Sequence, residues 1–268
     1  MDLEILKQLQ SVELGILDDV VKVCDKHGLV YFLDCGTLLG AIRHDGFIPW
    51  DDDIDIAMPS QDYFRFLEIA QDELGVDYFV QNSDTEDNYD RSFAKVRKRG
   101  TKVVPAEWKC WDIFQGAWID IFPMFYSDSE KETSVKRFLY NISKRLQTKN
   151  LYKNYLIVDG KTPRLFSSYV ISCVIAVLPL KLRKRLKKAL LHRIFSKKKG
   201  RYLCRCGHFV RQFDADCFMG EVRYHQFEHC SFRIPSGYDQ ILRTEYGNYM
   251  ELPPEDQRGS HGEMEVIL

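Results

Sequence analysis

The sequence predicts an α/β (α+β) fold, a mixed sheet core flanked by helices, with an inserted helical and partly basic segment. Three observations carry this. Stretches of period-two alternation such as "DIDIAM" and "GAWIDIFPMF" are interleaved with amphipathic stretches of helical period up to Phe125. From Asp128 onward the pattern turns helical, and the last part mixes elements and is rich in aromatics. The 268 residues are 45% apolar and 29% charged, which supports a packed core rather than overall disorder.

The elements follow in order. Leu3, Leu6, Leu9, Leu17, Val20, Val21 and Val23 recur near helical spacing, and Gly28 closes that run after Lys26 and His27. "LVYFLD", Leu29 to Asp34, reads as a buried strand. "GTLLGAIRH" reads as a turn and short helix opened by Gly36 and Thr37. "DIDIAM" has the period of a strand, and "PSQDYFRFLEIAQDEL" that of an amphipathic helix begun by Pro59. "DYFVQN", "SFAKVRKRG", "TKVVPAE" and "GAWIDIFPMF" read as further strands. The expected division is a core over 1–127, a helical segment over 128–202, and a C-terminal part over 203–268 that packs back on the core.

Net charge is −1, which makes no electrostatic case for a nucleic-acid partner. The charge is unevenly spread. Leu180 to Arg201 holds eleven Lys/Arg and no Asp/Glu, leaving 27 basic against 39 acidic residues elsewhere. The N-terminus has acids inside it and no basic region followed by a small-residue cleavage site, so no signal peptide is expected. The eight cysteines form no compact framework, which fits reduced thiols and a cytoplasmic location.

"GFIPWDDDIDI" crowds Asp51, Asp52, Asp53 and Asp55 together. On a strand Asp53 and Asp55 share a face, Ile54 and Ile56 point to the core, and Asp51 extends the acidic row. Like charges at this density call for a cation. All-oxygen ligands suit Mg²⁺ or Mn²⁺, and Mg²⁺ commonly bridges to substrate phosphates. A solvated acidic loop is the competing explanation. The Gly and distal Glu of an EF-hand are absent, and a Gly-Thr turn that can lay backbone N–H groups against a phosphate precedes the cluster.

The run "GTLLGAIRHDGFIPWDDDIDIAMP" closely resembles the signature of the LicD/fukutin family, whose core is nucleotidyltransferase-like. "AKVRKRGT", "WIDIFPM" and "YGNYMELPPEDQRGSHG" extend the resemblance from about residue 28 to 261, with a divergent middle. It implies a Mg²⁺-dependent phosphotransferase. Such an enzyme moves phosphocholine or a phospho-alditol from a CDP-activated donor to a glycan hydroxyl and releases CMP. It also implies catalytic roles for Asp53, Asp55 and Asp120, and a metal site of Asp51, Asp53, Asp55 and Asp120. Gly36 and Thr37 would supply the phosphate-side turn, with Arg43, Lys95 and Arg97 as phosphate partners, and Arg258 and His261 matching a basic tail. Lys95 and Arg97 lie two apart and so share a strand face. Gly40 and Gly46 read as close-packing or turn glycines, and Pro49-Trp50 as a rigid lead-in.

"YVISCVIAVLPL" is too short to span a bilayer, which takes about 20 apolar residues. After it, Leu182, Leu186, Ala189, Leu190, Arg193 and Ile194 follow helical spacing while Lys184, Arg185, Lys187 and Lys188 crowd the other faces. Residues 170–201 therefore read as a contact for an anionic membrane surface, giving a cytoplasmic protein peripheral at the inner face of the membrane. The acceptor would be a glycan or lipid-linked glycan, of the teichoic acid, capsule or lipopolysaccharide kinds. Cys204, Cys206 and His208 with Cys217, and later His225, His229 and Cys230, lack the common zinc spacings, and no zinc is expected.

Three further activities stay open at this level. They are an alditol-phosphate transferase using CDP-ribitol or CDP-glycerol, a nucleotidyltransferase releasing pyrophosphate, and a non-catalytic glycan- or membrane-binding protein. The last has no need of intact Asp53, Asp55 and Asp120.

Overall fold

In a computed structural model, which describes residues 1–89, 91–147, 175, 177–207, 209–260 and 262–268, the chain opens with helix α1, Leu3–His27. Asp2 caps it by accepting from the Glu4 N–H at 2.8 Å. Gly28 ends it with φ 64, a left-handed turn that glycine adopts without strain. The buried stripe of α1 holds Leu9, Ile16, Leu17, Val20 and Cys24, and Glu13 lies within it.

The other elements of the first half are β1 (Phe32–Leu33), α2 (Cys35–His44), β2 (Asp55–Pro59), α3 (Ser60–Leu74), β3 (Tyr78–Gln81), β4 (Ala94–Lys98), β5 (Lys102–Pro105) and β6 (Trp118–Ser127). The mixed sheet expected from the sequence is present, in the order β1-β2-β6-β4-β3. β6 is its spine. All ten of its residues are buried, and β2 runs parallel to it. β4 pairs antiparallel with the first half of β6. The antiparallel β7 (Tyr202–Cys206) takes over along the second half, with β8 (Val210–Asp214) beside it. α1 and α3 pack on each other and against β6.

Helices α4 (Glu130–Gln147) and α5 (Leu180–Phe195) pack together over a second apolar cluster that includes Phe125, Tyr140, Ile194, Cys204 and Cys206. Short α6 (Asp216–Met219), the hairpin β9 (Arg223–Phe227) and β10 (Cys230–Ile234), α7 (Tyr238–Tyr246), and β11 (Met264–Ile267) paired with β5 complete the chain.

Three expectations are corrected. The strand over Leu29 to Asp34 shrinks to Phe32–Leu33, because Leu29 donates its N–H back to Cys24 and Asp34 already caps α2. The ladder of "DIDIAM" starts at Asp55, so Asp53 precedes the strand rather than lying in it. In α5 the expected apolar row divides. Ile194 is buried, but Leu182 and Leu186 are exposed, while Arg183 and Lys187 turn inward. Lys187 donates to Ser83 and Lys184 pairs with Asp87 at 2.7 Å, so the helix seats its basic side on the β3–β4 connection. Most of "YVISCVIAVLPL" lies outside the described residues. Among those described, no helix is long and apolar enough to cross a membrane.

Candidate active site

The strand register builds the centre. Asp55 on β2 stands opposite Asp120 on β6, and Lys95 on β4 stands opposite Asp120 on its other side. Directly opposed residues project to one face, so the three side chains form a row across three strands. All three are buried. Lys95 forms an ion pair with Asp120, and its ammonium lies 4.5 Å from the Trp118 ring centre and 5.3 Å from that of Trp108. Burial pushes the Lys95 ammonium down from its ordinary value while Asp120 opposes that push. Burial pushes the Asp55 carboxyl well up, and Asp53, Asp120, Asp34 and Asp51 push the same way.

The start of α2 is tied to this row. Asp55 donates its N–H to Thr37 Oγ1 at 2.8 Å, and Asp34 donates its N–H to the Asp55 carbonyl at 3.0 Å. A Cβ on Gly36 would sit 2.6 Å from Asp51 Oδ2, so the bare glycine lets that carboxylate lie against the first turn of the helix. A helix N-terminus favours an anion there. Cys35 adopts φ 48, an uncommon left-handed conformation for a residue with a Cβ.

The loop between α2 and β2 is held from two sides. A Cβ on Gly40 would meet the Gly46 carbonyl oxygen at 2.4 Å, which explains the glycine as a close backbone approach. Glu228 accepts from the Phe47 N–H at 3.1 Å and donates its own N–H to the Asp45 carbonyl at 2.7 Å. From α1, Gln10 Nε2 donates to the Asp51 carbonyl at 2.8 Å. In this setting one carboxylate oxygen from each of Asp51, Asp52 and Asp53 falls within 4.8 Å of the others.

Sequence reasoning missed Glu13. It is fully buried, and neither carboxylate oxygen has a hydrogen-bond partner among the described residues. Burial pushes its carboxyl well up, and Asp53, Asp52, Asp51 and Asp120 add to that. The available signal was an acid on the apolar stripe of α1, four residues from both Leu9 and Leu17.

The other expected residues fall in different places. Arg97 has no exposed surface, and its guanidinium donates to Gln81 and to the Gly116 carbonyl. Like Lys95 it lies over the Trp108 and Trp118 rings, enclosed rather than at the surface. Arg43 donates to the Tyr249 carbonyl at 2.8 Å and to that of Glu251 at 3.4 Å, so it ties α2 to the C-terminal segment. Arg258 lies 5.6 Å over the Trp50 ring and donates to the Pro253 carbonyl at 2.8 Å, which brings the C-terminal segment beside the residue preceding Asp51. His261 and His208 lie outside the described residues. Cys204 and Cys206 are packed in the second apolar cluster.

One more charged group was not read from the sequence. Arg205 on β7 is buried and reaches Asp34 Oδ1 at 2.7 Å with one nitrogen and Glu245 of α7 with the other. It holds the side chain of the residue at the N-cap position of α2.

Residues 28–155 match the family described as LicD/FKTN/FKRP, nucleotidyltransferase domain. The chain is 29% identical to the lipopolysaccharide cholinephosphotransferase LicD of Haemophilus influenzae, over 98% of each sequence. A shorter stretch of 56 residues, 21% of the chain, is 46% identical to the ribitol 5-phosphate transferase FKRP of mouse and of human and covers 11% of each.

Proposed function

From the match of residues 28–155 to the LicD/FKTN/FKRP nucleotidyltransferase domain and the full-length similarity to a cholinephosphotransferase, we propose that the chain is a transferase moving a phospho-alcohol, phosphocholine first, from a CDP-activated donor to a glycan hydroxyl. The glycan is a cell-surface polymer or its lipid-linked precursor, and CMP is released. The hydroxyl oxygen attacks the phosphorus that carries the alcohol, and the bond from that phosphorus to CMP breaks. The hydroxyl proton passes to a site carboxylate, for which Asp120 is our assignment.

The donor set fits a hard divalent cation. Its atoms are all carboxylate oxygens, three of them gather within 4.8 Å, and α1 adds a buried carboxyl, Glu13, whose oxygens have no hydrogen-bond partner among the described residues. Asp51, Asp53, Asp55 and Asp120 would hold Mg²⁺ or Mn²⁺, which supplies charge neutralisation at the leaving phosphate. The chain's own part is positioning. Thr37 fixes the Asp55 backbone, Lys95 orients Asp120, and the first turn of α2 with Gly36 presents backbone N–H groups to a phosphate.

The observation that carries the reading is the in-register opposition of Asp55 and Asp120 beside the Asp51–Asp53 cluster. The test incubates the pure protein with Mg²⁺ and CDP-choline, CDP-ribitol or CDP-glycerol, with and without EDTA, and measures CMP. EDTA-sensitive CMP from CDP-choline is the expected result, with turnover lost in Asp53→Asn and Asp55→Asn while the fold persists. Full activity in either variant overturns the cation assignment. The stretch shared with the ribitol transferases favours CDP-ribitol as the second donor to try.

Exposed Leu182 and Leu186, flanked by Lys181 and Arg185, support a peripheral contact with an anionic membrane on the cytoplasmic side. Pelleting with anionic but not neutral liposomes is expected. Absence of pelleting with both removes this part.

A further inference from the structure

Glu13 occupies a position that packing alone does not explain. Its neighbours one turn away on the same stripe are Leu9, Ile16 and Leu17, all buried, and a leucine would continue that stripe. Among the described residues neither Glu13 oxygen has a partner, and a fully buried carboxylate in that state is costly unless something positive compensates it. Lys95 is already paired with Asp120.

The direction in which Glu13 looks is fixed by Gln10, three residues earlier and therefore on the same side of the helix. Gln10 donates to the backbone of Asp51, so this side of α1 is laid against the acidic loop. Glu13 also precedes residue 28, outside the segment that matches the nucleotidyltransferase domain.

We infer that Glu13 is a further carboxylate of the cation site, delivered from the face of α1 that Gln10 lays against the Asp51–Asp53 loop. This rests on the cation reading proposed above, and it makes the N-terminal helix part of the binding machinery rather than a cover for the sheet.

The test uses the full chain with Mn²⁺ alone as probe, by titration calorimetry and by thermal melting with and without the ion. Glu13→Gln keeps the shape and removes the charge. Its Mn²⁺ affinity is expected to fall by about tenfold or more. Its melting point without the ion is expected to equal or exceed that of the unsubstituted protein, because the uncompensated charge is gone. Glu13→Asp, which keeps the charge on a shorter arm, is expected to lie between the two in affinity. Unchanged affinity in Glu13→Gln, or a lower melting point without the ion at unchanged affinity, overturns the inference. Asp55→Asn separates the two layers. If Asp55→Asn loses Mn²⁺ and Glu13→Gln does not, the cation reading stands and the role of Glu13 fails. If the unsubstituted protein binds no Mn²⁺, both fail.

Discussion

Lys95 and Asp120 form an ion pair at opposed positions of β4 and β6, with 3% of the lysine side chain and 10% of the aspartate side chain exposed. Neither charge has water to fall back on. Breaking a buried pair from one side costs about 3–5 kcal/mol, because the partner is left uncompensated. Lys95→Met is therefore expected to lose stability of that order in urea unfolding. Removing both charges in Lys95→Met/Asp120→Asn should recover much of it. Mn²⁺ should also reduce the loss in the single variant, since Asp120 then regains a positive neighbour. Equal losses in the single and double variants would show that the pair does not act as one.

Gly36 and Gly40 meet different obstacles. At Gly40 the added Cβ would press on the backbone carbonyl of Gly46 at 2.4 Å, which cannot turn aside. Gly40→Ala is expected to cost about 1–3 kcal/mol, as other overpacked sites do. At Gly36 the obstacle is the Asp51 carboxylate, which can rotate, and alanine is the better helix former by about 1 kcal/mol. Gly36→Ala should melt close to the unsubstituted protein yet lose CMP release. Comparing melting point and turnover in both variants checks the distinction.

Arg205 bridges Asp34 and Glu245 with two nitrogens of one planar group. Arg205→Met leaves two buried carboxylates together and is expected to destabilise by about 3–5 kcal/mol. Arg205→Lys should rescue only part of this, since an ammonium is a point charge that does not span both partners as the fork does. Activity should fall with stability, because Asp34 stands at the N-cap position of the helix that presents Gly36 and Thr37, and its carbonyl accepts from the Leu38 N–H. Full rescue by lysine would remove the geometric argument.

Burial pushes the Lys187 ammonium down to about 8 in the folded chain, with Asp84 opposing and Lys184 reinforcing. In an open chain it keeps its proton to about 10.4. Between those two values the unfolded state holds a proton that the folded state lacks, so stability rises with pH there. The burial cost is fully present below pH 8, and the two values differ by on the order of 3 kcal/mol. Lys187→Met should therefore be more stable than the unsubstituted protein at pH 7, with an advantage that shrinks towards pH 10. A pH-independent difference between the two unfolding curves would refute this.

The acidic centre was legible because alternation places side chains by counting. Asp55 and Asp120 each sit between apolar neighbours, and the strands then set them face to face. Counting also put Lys95 and Arg97 on one face, but it carries no information on depth, and Arg97 proved to be wholly enclosed. Glu13 was missed because a single acid in a helix is usually solvated, and only packing shows otherwise. The pair of Arg205 with Asp34 joins residues 171 apart, a distance that no local pattern spans. In α5 the spacing was visible, but both sides carry long basic side chains with apolar stems, so periodicity could not say which side turns inward.

The stretch that matches the family is not the stretch that folds. Cut at residues 28 and 155, a fragment would keep Asp53, Asp55 and Asp120 but lose α1, with Leu9, Leu17 and Val20 from the core, and β7, which completes one edge of β6. Gln10, Glu13 and Arg205 would go with them, and so would every contact that holds the acidic loop and the α2 cap from outside. Such a fragment should be expressed as insoluble material. By the same logic the signature cannot travel between genes as a cassette. A recombination event that transplants it must also bring a leading helix and a returning strand already shaped to receive it.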